Sequence, residues 1–242
     1  MTTKPFDLSA DETLRVLRKA AVLGRVVHMN SPTPMLTEDL KRILSWRDTH
    51  DLGRPVSFRA STYCSYREKA DGSWYDDPLR CPVAPVFRLG IYLLNDLVRL
   101  VSPVRTVQVL QSRLFTGRPT PDNAQLGLLC EDGEIGSVSS SFCIDDRQPY
   151  RCTLEINYER GTVYRNQGPR LQDERDVLLE LSASGTAGQI LDSVRVPDTG
   201  GYQWEVFRRM VRGELLRQDL TPEQAASAVR VIERMSEQAI LP

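Results

Sequence analysis

The spacing of apolar residues changes period near residue 55. Before that point it is helical: Leu14, Leu17, Ala20, Ala21 and Leu23 recur on one face and predict an amphipathic helix over residues 9–23. Ser9 and Glu12 have the spacing of a capping box, in which the serine hydroxyl serves the Glu12 amide and the Glu12 carboxylate reaches back. Gly24 ends this helix, and a short β-branched run over residues 25–28 predicts a buried strand. Thr37 then caps a second helix running to about Arg47, with Leu40, Ile43 and Leu44 inward, and Gly53-Arg54-Pro55 closes the unit.

From Val56 onward, period-2 patterning takes over. VSFRASTYCSY predicts a long strand, a proline-rich loop covers residues 76–85, and one helix spans residues 86–101. Strands are then predicted in VRTVQVLQSRLF, AQLGLLC, GSVSSSFCI, RCTLEINY, GTVYRN and QILDSVRVP. Glu131-Asp132-Gly133-Glu134 and Glu159-Arg160-Gly161 read as hairpin turns whose glycines supply positive φ. The chain closes on helices over residues 204–212 and from Thr221, where Thr221, Pro222 and Gln224 combine a capping box with proline at the first helical position. Ala225, Ala228, Val229, Ile232 and Met235 form the inner stripe of that last helix. The expected fold is α+β, a large, mostly antiparallel open sheet flanked by helices and preceded by a small αβ unit.

Composition narrows the class of protein. With 242 residues, 40% apolar and 26% charged, the chain can bury a sizeable core. Thirty-one Lys and Arg against 32 Asp and Glu give a formal charge of −1, which offers no footprint for nucleic acid or an anionic membrane. No apolar run reaches the ~18 to 20 residues of a membrane span, and the N-terminus lacks the pattern of a signal peptide. Five cysteines without a CxxC argue against a disulfide framework or zinc site, so a cytoplasmic chain with buried thiols and no bound metal is expected.

Certain residues, taken in order, carry a resemblance. Lys4-Pro5 precedes the first capped helix, Gly72-x-Trp74 and Asp77-Pro78 precede a helix opening on Leu89-Gly90-Ile91-Tyr92, and the open sheet follows. In these features the chain resembles the Gfo/Idh/MocA oxidoreductases, NAD(P)-dependent sugar and polyol dehydrogenases that pair a Rossmann domain with a C-terminal sheet domain. The resemblance implies that residues 1–55 are a truncated Rossmann remnant, and that residues 56–242 are an α+β domain for substrate binding and oligomerisation. Lys4 and Pro5 would then meet the cofactor. None of the fifteen glycines forms a G-x-G, the tight turn that lets backbone approach a dinucleotide pyrophosphate. No cofactor is therefore expected for the chain alone, and NAD(P) only if a missing Rossmann segment is supplied.

The resemblance also implies roles. Lys4 corresponds to the family's lysine and Tyr92 to its base, while the family's aspartate one turn earlier is replaced by Arg88, which cannot exchange a proton. The residues alone allow a second reading. At i and i+4, Arg88 and Tyr92 would share a helix face continued by Asn95 and Arg99, and two cations near Tyr92 would lower its pKa. That constellation would suit a cofactor-independent lyase, isomerase or cyclase with Lys4, Arg88 and Tyr92 as catalytic residues. A non-catalytic dimerisation module is a third possibility. Candidate substrate-binding residues are Trp74, Asn30 and Asn95, and the expected ligand is sugar-like or polyol-like. Cys81, His28 and His50 read as structural, and Cys81-Pro82-Val83-Ala84-Pro85 stands where the family has a glycine-rich run. A homodimer or higher oligomer through the open sheet is expected.

Overall fold

A computed structural model describes residues 1–239 apart from 3, 67, 146, 148–149, 170–175, 186–187 and 216. Two helices, α1 (Ala10–Val22) and α2 (Glu38–Thr49), precede strand β1 (Pro55–Tyr63). A 3-10 turn (Trp74–Asp76) and a π-helical turn (Val86–Gly90) lead into α3 (Ile91–Leu97). Strands β2 (Val104–Ser112), β3 (Asn123–Cys130), β4 (Ile135–Ser141), β5 (Arg151–Tyr158), β6 (Gly161–Arg165), β7 (Val177–Ala183) and β8 (Asp192–Val196) follow, then α4 (Trp204–Val211) and α5 (Pro222–Ala239).

All eight strands form one sheet in the order β2-β3-β4-β1-β5-β6-β7-β8. Every pairing is antiparallel except β1 with β4, where Ala60 lies beside Val138. Alternation along the strands puts Phe58, Ala60, Leu126, Val138, Leu154 and Ile156 on one face, buried in a single core with residues of α2, α3 and α5. The opposite face is mostly polar, with Arg59 beside Glu155; there Ser61 Oγ meets Thr153 Oγ1 at 2.5 Å, and Asn157 Nδ2 donates to Ser57 Oγ at 3.2 Å. No helix among the described residues is long and apolar enough to cross a membrane.

Several expectations change. Among the described residues the run 25–28 joins no ladder; an isolated parallel bridge pairs Met29 with Thr2, and the Thr2 amide donates to the His28 carbonyl at 2.9 Å. The stripe of α1 is only partly covered, with Leu23 58% exposed, although α1 packs on α5 and is tied to it by Arg18–Glu223 and Asp11–Arg230 ion pairs. Its capping box is half formed: Ser9 Oγ accepts from the Glu12 amide, but the Glu12 carboxylate pairs with Arg15 and Asp7 serves the Ser9 amide. The Thr221–Gln224 box is reciprocal, both bonds being 3.1 Å. Gly133 has φ of +96° as a turn glycine should. Gly161 does not; it is needed because a Cβ there would lie 2.7 Å from the Ser182 carbonyl oxygen.

Strand β7 is not among the strands read from the pattern, since VLLELSA is entered directly from a charged stretch. The helix expected over residues 86–101 begins as a π-helical turn and is regular only over α3. This matters for the site. A π-helical turn carries more residues than an α-turn, so residues i and i+4 across it no longer share a face.

Candidate functional site

A cavity of about 650 Å³ opens beside α3. Its walls come from the loop after the Met29 bridge (Asn30, Ser31, Thr33), the start of α2 (Thr37, Asp39), α3 and the turn beyond it (Tyr92, Asn95, Asp96, Arg99), the segment entering β5 (Tyr150, Cys152) and the end of β6 (Arg165, Asn166). Val177 and the segment bearing Asp198, Gly200 and Gly201 complete it.

Tyr92 lines this cavity, and Lys4 lies beside Tyr92 outside the lining. The Lys4 ammonium lies 5.1 Å from the centre of the Tyr92 ring and donates to the Arg88 carbonyl. Burial, reinforced by the positive charge of Arg88, lowers Lys4 to about 8. Tyr92 shifts the other way: burial raises its phenol above the usual value, against a hydrogen bond with Asn30. The lowered tyrosine pKa expected from two flanking cations is therefore not present. Asn95 is buried and donates to Ser31 Oγ at 2.7 Å, which pins the Asn30 loop to α3. Pro5 is partly buried beside Lys4 in the chain and does not line the cavity.

Arg88 is not part of the cavity wall. The π-helical turn directs its guanidinium to the other side, where it grips Glu68 through two bonds of 2.6 and 2.8 Å and lies 4.0 Å from the Tyr75 ring centre. Its backbone carbonyl, which holds Lys4, is what it contributes near Tyr92. Trp74 packs on Tyr75 with ring centres 4.0 Å apart, is 40% exposed, and also lies outside the cavity lining. Cys81 is fully buried, and burial pushes its thiol up to about 11, the state of an inert core cysteine. His28 is buried 4.9 Å from the Phe207 ring centre, with Tyr202 and Trp204 nearby. His50 is the C-cap of α2.

The sequence reading missed the charged half of the cavity. Arg165 Nη1 donates to Asp39 Oδ2 at 2.8 Å and to Asp96 Oδ2 at 2.7 Å, joining β6, α2 and α3. Burial opposes ionisation of Asp39, but Arg165, Thr37 and the Leu40 amide hold its carboxyl below the usual range. Burial raises the Asp96 carboxyl above that range, against the pull of Arg165. Two signals were available in the sequence. Arg165 shares strand parity with the inward Val163, and Asp96 stands four residues beyond Tyr92. Arg99 also lines the cavity, but donates to the carbonyls of Thr33 and Met35.

These groups can bind and orient a hydroxylated molecule, and the neighbouring lysine and tyrosine can move a proton at one of its hydroxyls. They do not fit a dinucleotide. No G-x-G exists to cradle a pyrophosphate, the sheet has only one parallel strand pair, and α1 and α2 open on Ser9 and Thr37 rather than on glycine-rich turns. No hydride step is assigned to these residues. Among the described residues no group of three His, Cys, Asp or Glu is placed to hold a metal ion.

The GFO/IDH/MocA C-terminal domain family matches residues 40–164. No curated protein matches the chain. Solved structures do match in fold. A protein of Desulfitobacterium hafniense named as an NADPH-dependent oxidoreductase is 17% identical with a TM-score of 0.73, over 97% of this chain and 69% of its own. Levoglucosan dehydrogenase, in complex with NADH and levoglucosan, is 15% identical with a TM-score of 0.70, over 98% of this chain and 70% of its own. An oxidoreductase of Agrobacterium radiobacter, in complex with NAD+, L-tartaric acid and magnesium, is 15% identical with a TM-score of 0.67, over 98% and 69%.

Proposed function

The chain belongs to the GFO/IDH/MocA family, and from that premise we propose that it is the substrate-binding part of a sugar or polyol oxidoreductase, with Lys4 and Tyr92 as its proton-transfer pair. The observation that carries this reading is the Lys4 ammonium 5.1 Å from the Tyr92 ring centre, beside a cavity whose walls carry mostly polar side chains. The lysine favours the deprotonated hydroxyl, and the tyrosine passes the proton on. Asn30 and Asn95 orient the ligand. NAD(P) enters the proposal through a Rossmann unit outside these residues, with residues 1–55 as the edge it would adjoin and Lys4 and Pro5 nearest the cofactor. Levoglucosan dehydrogenase and the Agrobacterium radiobacter oxidoreductase, each recorded with a hydroxylated ligand and a nicotinamide coenzyme, support that assignment. The proposal extends to self-association through the polar sheet face and to a cytoplasmic setting, the latter supported by five cysteines that are all free.

The cofactor-independent alternative needs Arg88 on the tyrosine's side, and its guanidinium is committed to Glu68. Two titrations test the proposal. Saturation-transfer NMR with a panel of neutral polyols is expected to show binding that weakens severalfold in Tyr92→Phe, and a protein that binds none of them sinks the substrate reading. NADH, followed by energy transfer from the tryptophans, is expected not to bind at micromolar concentration. Micromolar binding overturns the assignment of the dinucleotide to residues beyond these 242.

A further inference from the structure

Asp96 presents a carboxylate on the cavity face of α3, one helical turn beyond Tyr92. Its side chain is 28% exposed, whereas its partners Arg165 and Asp39 are closed at 5% and 9%. Arg165 grips Asp96 by Oδ2, and Oδ1 takes no hydrogen bond from a described residue. The cavity therefore holds one carboxylate oxygen that is fixed in place and open to a ligand. Both arginines of the wall are engaged elsewhere, Arg165 by Asp39 and Asp96, and Arg99 by the carbonyls of Thr33 and Met35. Among the residues that line the cavity, Asp39, Asp96 and Asp198 stand against Arg99 and Arg165, while Lys4, beside Tyr92 and outside the lining, donates to the Arg88 carbonyl. An entering carboxylate would meet the Asp96 oxygen, because the guanidinium nitrogens without a partner, Nε of Arg99 and Arg165 and Nη2 of Arg165, are buried, whereas an entering hydroxyl would find an acceptor.

We propose that Asp96, positioned by Arg165, is the specificity-determining residue of this cavity: it accepts a hydrogen bond from a hydroxyl of an uncharged polyhydroxy substrate and turns away the corresponding acid. The assignment rests on the reading of the cavity as a polyol site, and it adds to that reading a residue and a charge rule. Arg165 acts through Asp96 and does not itself touch the substrate, because its remaining nitrogens are buried beneath the wall.

D-Glucose and D-glucuronate make a matched pair of probes, alike except for one carboxylate. In saturation-transfer titrations of the full chain, glucose is expected to bind about tenfold more tightly than glucuronate, the size of effect one unscreened charge contact gives in a partly buried site. Asp96→Asn should erase most of that difference by strengthening glucuronate and weakening glucose. Asp39→Asn, altering a closed carboxylate, should leave the preference in place. A second measurement needs no variant: added salt should strengthen glucuronate binding to the wild-type protein and leave glucose unchanged. If both probes bind equally, if salt does not separate them, or if Asp96→Asn weakens both alike, Asp96 does not select and the inference is overturned while the polyol site stands. If the wild-type protein binds neither probe, the polyol site itself falls and takes this assignment with it.

Discussion

Lys4 pays for its place beside Tyr92 with its charge. Its folded pKa of about 8 lies below the ordinary 10.5, because burial and Arg88 disfavour the ammonium. Below pH 8 the lysine is charged in the folded and unfolded chain alike, and the full cost of burying the charge is present. Between about 8 and 10.5 the folded chain releases its proton first, so the unfolded chain binds more protons and stability rises with pH. The unfolding free energy of Lys4→Met, measured in urea across that window, should therefore exceed that of the wild type most at neutral pH, and the gap should shrink as pH climbs. A gap independent of pH would mean that Lys4 is not held in a charge-poor position. At this scale the sequence singles out Tyr92, Asn30 and Asn95, which line one cavity, and Lys4, which lies beside Tyr92 outside that lining. Arg88 was not readable, because its direction depends on a turn geometry that composition does not encode. Arg165 and Asp96 carry a charge in positions that a pattern reading assigns to core or solvent, and only their mutual pairing explains them.

Elements with a steady period were legible: α2, α5 and seven of the eight strands follow from apolar spacing and turn residues. What failed were elements whose form depends on neighbours. The run at 25–28 has strand composition, but among the described residues it joins no ladder and an isolated Thr2–Met29 bridge stands beside it, whereas β7, entered directly from a charged stretch, gains two partners in the sheet. The parallel contact of β1 with β4 likewise could not be read locally, and it depends on a glycine. A Cβ at Gly136 would lie 2.4 Å from the ring of Phe58, which is buried in the core and has no room to swing away. Gly136→Ala should destabilise the chain by about 1–3 kcal/mol, the usual range for overpacking a close-packed site. Gly127→Ala on β3 is the control, since its nearest neighbour would be 3.7 Å away and its effect should be small. Equal midpoints for the two variants in guanidinium titrations would deny that the β1–β4 approach is limited by that ring.

Across the whole molecule, the Arg165 network is where the N-terminal unit, the central helix and the sheet are joined by charge. One nearly closed guanidinium on β6 holds Asp39 of α2 and Asp96 of α3 at 2.8 and 2.7 Å. Such a network contributes little net stability, because desolvating three charges cancels most of their attraction, but losing one member leaves the others exposed to that cost. Arg165→Met removes the cation that bridges the two carboxylates, so it should destabilise the chain by about 3–5 kcal/mol at neutral pH. The loss should shrink on acidification, as the two carboxyls, no longer held ionised, take up protons in the folded state. Neutralising them as well, in the combination Asp39→Asn, Asp96→Asn and Arg165→Met, should recover most of the stability while leaving the cavity without its charged floor. Urea unfolding of the single and triple variants at neutral and acidic pH reads both effects. A triple variant no more stable than Arg165→Met would show that the network holds the fold by geometry, through the positions of α2 and α3 on β6, and not by charge balance.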